Sequence, residues 1–194
     1  NQRAVLIRGD RRIFSMPIQA IDDARIVQVS PNETCLLLGS KIMSDGSLAR
    51  TAGVEIGGIA HPFTKDNIEE GYKSLRLLEP QKMKDRLNEV SMPNWYHCID
   101  ESLRQAGMTR KDIGYLDVLH MKRSGHKGML AELGLTEEQS IYLEDYGHVG
   151  QIDQILSLEL ALKAGKVKDG TVVCMIAAGI GYVWSANIIK WGNK

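Results

Sequence analysis

The chain has 194 residues and 21.6 kDa, and its 24 Lys and Arg balance 24 Asp and Glu, leaving no net formal charge. That length allows one full domain, or one domain with a tail. With 43% hydrophobic residues, 25% charged residues and 5 Pro, disordered, fibrous and collagen-like classes are excluded. Neutral balance argues against a nucleic acid or acidic membrane recruited by bulk charge. Every long apolar stretch is interrupted by Lys, Asp or Glu, so no membrane span is expected. Cys35, Cys98 and Cys174 are widely spaced and form no CxxC. They read as reduced thiols of a cytoplasmic protein, not as a disulfide framework or zinc site. Asn1 follows no initiator Met, and residues 1–20 lack the plan of a secretory signal. The chain accordingly reads as a processed, truncated or partly represented product.

In chain order, Arg3–Ile7 and Ala24–Val29 are β-prone and predict strands, separated by Gly9-Asp10 and Pro17. Thr34–Ser40 is an apolar run closed by the turn signal Ser44-Asp45-Gly46-Ser47. Residues 53–70 are Gly-rich and polar without a period, and predict a long loop. Met83, Leu87 and Val90 recur at helical spacing before Pro93, and Trp95, Ile99 and Leu103 continue the apolar face to Gly107. Thr109-Arg110-Lys111-Asp112 punctuates, and Tyr115–Leu119 reads as a strand delivering His120. A short helix over His126–Leu133 ends at Gly134, and Thr136 to Gln139 fits a capping box. Gln151–Ala164 is the clearest helix. Its apolar residues cover most of the circumference, which predicts burial on several sides with Leu156 and Leu160 inside. Thr171–Ala178 and Tyr182–Trp191 read as antiparallel strands joined by the tight turn Gly179-Ile180-Gly181.

Chemistry concentrates at three element ends: His120, His148 in Tyr146-Gly147-His148-Val149-Gly150, and the Gly179–Gly181 turn. A histidine can donate to a developing oxyanion or shuttle a proton. Glycines let backbone N–H groups approach the same oxygen without a Cβ in the way. His126 does not share a helical face with His120, which speaks against a two-His metal site, and no metal is expected. His61 and His97 have no partner at ligand spacing. Lys122, Arg123 and Lys127 could meet a phosphate or form a solvated face. The glycine turn lacks the third Gly and the following helix of a dinucleotide fingerprint.

Taken in order, these pieces resemble the C-terminal half of 3-oxoacyl-acyl-carrier-protein synthase III, of the thiolase-like superfamily. The matching stretches are Ser44-Asp45-Gly46-Ser47, Gly57-Gly58 with His61-Pro62, and Leu116-Asp117-Val118-Leu119-His120 ahead of Leu133-Gly134-Leu135. Tyr146-Gly147-His148, the run Gly165 to Gly170, and Gly179-Ile180-Gly181-Tyr182-Val183-Trp184 leading to Trp191 complete the series. The resemblance implies an α/β, thiolase-like layered fold: a mixed five-stranded sheet with helices, forming one half of a two-halved synthase. Residues 34–194 would be the synthase III-like domain, and residues 1–33 an unassigned segment of strands joining to a missing N-terminal half.

The resemblance further implies a condensing acyltransferase. A Cys nucleophile in the N-terminal half would accept an acyl group from a thioester. The C-terminal half would supply a His and an Asn that stabilise the enolate of a malonyl-type thioester. His120 matches the family His, His148 takes the place of the Asn, and Gly181 matches the glycine of the oxyanion hole, with Gly179 beside it. Lys122 and Arg123 fall where the family has Ala-Asn, as candidate substrate contacts, and Ile180 replaces a family Gly. Cys35, Cys98 and Cys174 lack the loop-to-helix setting of a nucleophile. The Cys is therefore expected from the missing half or a partner chain, within a dimer or higher oligomer. The expected substrates are acyl-coenzyme A or acyl carrier protein, with no resident cofactor. The alternative is a non-catalytic thiolase-fold subunit supporting an active partner.

Overall fold

The computed structural model of the protein describes residues 3–8, 11–17, 25–30, 33–71 and 76–192. The Gly9-Asp10 turn, Ala24 and residues 193–194 lie outside the described residues. At the N-terminal end β1 (Arg3–Arg8) and β2 (Arg11–Pro17) form an antiparallel two-stranded sheet. The strand over Arg11–Pro17 went unread in the sequence, where only its neighbours stood out.

The main sheet has five strands in the order β3 (Arg25–Ser30), β4 (Glu33–Ser44), β9 (Val183–Trp191), β8 (Val172–Gly179) and β7 (Tyr115–Val118). Every pairing is antiparallel except the parallel β7–β8 pair. This is the mixed sheet expected from the resemblance. Between β4 and β7 run β5 (Ala52–Gly53), α1 (Ile68–Gly71), β6 (Arg76–Leu77) and α2 (Pro80–Gln105). The stretch 53–70 is thus a loop with one helical turn, and β5 pairs with β6. Helix α2 runs unbroken through Pro93. It retains its apolar face there, although proline removes one donor from the helical ladder.

Side-chain alternation along the strands sorts the interior into two layers. Leu116 and Val118 of β7, Cys174 and Ile176 of β8, and Trp184, Ala186 and Ile188 of β9 pack with Ile99 and Leu103 of α2. Met129, Leu130 and Leu133 of α3 (Arg123–Leu133) close the same core, and Gly134 ends that helix in the left-handed conformation. On the other face, Tyr115, Val173, Ile189 and Trp191 meet Leu158 and Ala161 of α4 (Asp153–Lys163).

Helix α4 departs from expectation. It begins at Asp153 after a 3-10 turn over Gly150–Ile152, and only one side is covered. Its buried residues are Asp153, Gln154, Ser157, Leu158 and Ala161, whereas Leu156 and Leu160 are half-buried and Ile152 and Ile155 are each 60% exposed. The reason is polar. Gln154 donates to the Ile176 carbonyl (2.8 Å), and the Ser157 hydroxyl meets the Tyr115 hydroxyl (2.9 Å). The sheet edge beneath α4 presents backbone and hydroxyl groups that must be satisfied, so polar side chains turn inward and apolar ones are left outside.

One glycine sets how closely α2 approaches the sheet. A Cβ at Gly39, beside the register shift in β4, would lie 2.0 Å from the Ser102 carbonyl oxygen. Ser102 is fully buried and donates its hydroxyl to the Ala186 carbonyl of β9 (3.0 Å), so the helix cannot slide without breaking that bond. Gly39→Ala is expected to lower unfolding free energy by about 1–3 kcal/mol, as overpacked cores do. Urea unfolding checks this, and unchanged stability would mean that α2 has room to move.

Candidate active site

The ends of β7 and β8 and the start of α4 meet at one edge of the sheet. Such an edge, outside the carboxyl ends of parallel strands, is where α/β folds commonly place ligands. β7 delivers Leu119, whose N–H still donates to the Ile176 carbonyl (3.2 Å), and then His120. β8 delivers the Gly179–Gly181 turn, in which Gly181 has a φ of +143°.

Asp153, on the first turn of α4, has no exposed surface and binds these pieces together. Its Oδ2 accepts the backbone N–H of His120 (2.7 Å) and lies 2.5 Å from His148 Nδ1. Its Oδ1 accepts the backbone N–H of Val149 (2.7 Å). Burial alone pushes the carboxyl up. The hydrogen bonds from His120, His148 and Val149 outweigh it and hold Asp153 below the usual carboxylate range. The N-terminal position on α4 adds the favourable end of the helix dipole.

His148 is 55% exposed at its side chain and faces a cleft of about 520 Å³. The same cleft is lined by Leu119, Gln154, Gly179, Ile180 and Tyr182. His120 shares the Asp153 oxygen with His148, but its ring lies elsewhere, 4.8 Å from the Tyr142 ring by centroids. Its Nδ1 is buried without a hydrogen-bond partner. The two histidines are thus joined through one carboxylate, and His148 alone shares the cleft with Gly179.

Lys122 is exposed just before α3, and Arg123 lies over Tyr142 (4.7 Å to the ring centroid) and pairs with Glu144 (3.1 Å). Neither lines the cleft. His126 is buried and packs edge-on to Tyr142 (5.4 Å), and burial lowers its pKa. His61 and His97 are exposed. All three cysteines are buried, and burial raises each thiol pKa, which disfavours a reactive thiolate. Among the described residues no group of three or more His, Cys, Asp or Glu is placed to hold a metal. Nor is any helix there long and apolar enough to cross a membrane.

Sequence reading missed Asp153 and Tyr142. Asp153 was legible in principle, because an acid five residues after His148 opens the helix that follows it. Tyr142 carries no local signal. It lies in an irregular segment and meets His120 only through the fold.

Residues 103–191 match the family model described as the 3-oxoacyl-[acyl-carrier-protein] synthase III C terminal domain. The beta-ketoacyl-[acyl-carrier-protein] synthase III of Microcystis aeruginosa is 29% identical over 177 residues, which cover 89% of this chain and 51% of that protein. The protein of the same name from Acaryochloris marina is 26% identical over 174 residues, with coverage of 88% and 51%. Among solved structures, 3-oxoacyl-[acyl-carrier-protein] synthase III from Aquifex aeolicus superposes with a TM-score of 0.63 at 18% identity, over 84% of this chain and 46% of that one. The chain therefore spans about half the length of the curated relatives it matches.

A second acid lies beneath the site. Asp117 of β7 is fully buried, and neither carboxyl oxygen has a hydrogen bond of good geometry. Burial raises its pKa well above the ordinary value, the nearby Ser157 hydroxyl opposes the shift, and the Asp153 charge adds to it. A carboxyl whose folded pKa exceeds its unfolded pKa contributes stability below the unfolded value and loses it as pH rises toward the folded value. Asp117→Asn is therefore expected to raise Tm by several degrees at pH 8 and by little near pH 4. Thermal melts of parent and variant across that range test this, and a Tm difference independent of pH would contradict a protonated Asp117.

Proposed function

We propose that this chain, which carries the C-terminal domain of 3-oxoacyl-[acyl-carrier-protein] synthase III on a thiolase-like fold, is one half of a condensing acyltransferase. The reaction joins an acyl thioester to the α-carbon of a second thioester by Claisen condensation. The acyl group arrives as a coenzyme A or acyl-carrier-protein thioester and is held on a Cys supplied by an N-terminal half or a partner chain. No resident cofactor is needed, and the cytoplasm is the setting in which such thioesters and reduced thiols coexist.

The observation that carries this reading is the buried Asp153 carboxylate, which takes the His120 backbone N–H and the His148 ring beside the Gly179–Gly181 turn. His120 has no acceptor at its buried Nδ1, so its proton is best placed on Nε2, as a donor to an enolate oxygen. Gly181 would offer its backbone N–H to the acyl carbonyl beside the Cys. Outside the site, Ile152 and Ile155 of α4, with Tyr146 and Val149, are exposed apolar residues that the second half would cover.

His120→Ala or His148→Ala in the complete enzyme is expected to lower carbon–carbon bond formation by about 10²–10³-fold, the usual loss for one oxyanion-stabilising group. Acyl transfer onto the Cys should survive in large part, since a different set of donors serves it. Protein mass spectrometry follows acylation, and product analysis follows condensation. Parent-like condensation in both variants would remove the histidines from the chemistry and favour a non-catalytic subunit.

A further inference from the structure

Gln154, on the first turn of α4, is only 8% exposed, and one end of its amide is fixed. Its Nε2 donates to the Ile176 carbonyl (2.8 Å), which also takes the Leu119 N–H (3.2 Å). A carbonyl oxygen can only accept, so the amide cannot be turned end for end, and Oε1 must face away from that carbonyl. Among the described residues nothing donates to Oε1. Nor is it sealed off, since the sealed polar side-chain atoms without a partner there belong to Asp117 and His120. The open space beside Gln154 is the cleft that His148 also lines. Leu119, Ala177, Ala178 and Ile180 form much of its wall and carry no side-chain donor, and the Tyr182 hydroxyl is committed to Met83 Sδ (2.9 Å). A fixed acceptor in an apolar wall leaves one hydrogen bond for a bound molecule to complete.

We infer that Gln154 Oε1 accepts a hydrogen bond from a hydroxyl on the acyl group of the first thioester, and so selects hydroxylated acyl groups. The inference rests on the condensing reading above and specifies the group transferred. With the acyl carbonyl at Gly181, the chain behind it runs back past Gly179, Ala178 and Ala177 toward the Gln154 amide at Ile176. At a strand rise of about 3.3 Å per residue that path is about 10 Å, the reach of a medium-length acyl chain. The small side chains of Ala177 and Ala178 leave it open. An unsubstituted chain would take water from Oε1 and return nothing, whereas a hydroxyl restores the bond. An ammonium group would need a carboxylate, and none lines the cleft among the described residues. A site that hydrogen-bonds a substrate hydroxyl discriminates against the analogue lacking it, because its own polar group is then left unpaired.

Condensation assays on the complete enzyme test this with octanoyl-coenzyme A and a set of its derivatives, each bearing one hydroxyl between the β-carbon and the chain end. The parent should favour at least one derivative over octanoyl-coenzyme A by about 10–10²-fold in kcat/KM, the loss that one unpaired buried acceptor brings. Gln154→Met, which keeps the side-chain length and removes both polar atoms, should bring that ratio to about one. A merely structural tie between α4 and β8 would slow both substrates together and leave the ratio unchanged, which would overturn the inference. The parent measurement needs no variant to fold. Equal use of all the substrates by the parent would overturn the inference alone, whether Oε1 is then met by the second half or by the amides of the thioester arm, which every substrate shares. Condensation of none of them, with a shorter acyl-coenzyme A also inert, would overturn the condensing reading as well.

Discussion

A carboxylate cut off from water must find all of its hydrogen bonds within the protein, or neutralise. Asp153 meets this demand with two loop amides and one histidine, drawn from the end of β7 and from the segment before α4. The rest of the site follows from that constraint. His120 is held at the strand end by its own backbone, so its ring is free to lie against Tyr142. His148 is held by its ring, so its orientation is set directly. Removing one partner would leave a buried charge short of donors, at a cost of about 1.5–3 kcal/mol for a bond to a charged group. The three donors therefore hold or fail together.

The same demand explains the unusual packing of α4. A helix on a sheet normally turns its apolar stripe inward. Here the inward stripe contains Asp153, Gln154 and Ser157, because the sheet edge beneath offers amides, a carbonyl and the Tyr115 hydroxyl. The apolar residues Ile152 and Ile155 remain outside. The site and the open face are two sides of one helix.

Much of this was legible in the sequence, and the parts that were not share a cause. Strands β7, β8 and β9 were recognisable from apolar runs and the glycine turn, and α2 from apolar spacing on both sides of Pro93. Both histidines stood out because each sits at an element end. The burial of α4 was misjudged because hydrophobic count does not tell which side of a helix meets polar strand ends. Strand β2 is hidden because Arg11–Pro17 opens on two arginines and closes on a proline, signals that read as a turn rather than a strand. Tyr142 and Asp117 gain their roles from long-range contacts, to which periodicity is blind.

Amide hydrogen exchange at His120 and Val149 is the most direct measure of whether Asp153 organises the site. In the parent protein both amides should exchange slowly and at similar rates, since one carboxylate protects both. In Asp153→Ala both should accelerate by about 10–10²-fold, matching the loss of a charge-assisted bond, while the amide of Val173 within β8 keeps its parent rate. Fast and unequal exchange of the two amides in the parent, or rates unmoved by the substitution, would contradict the account.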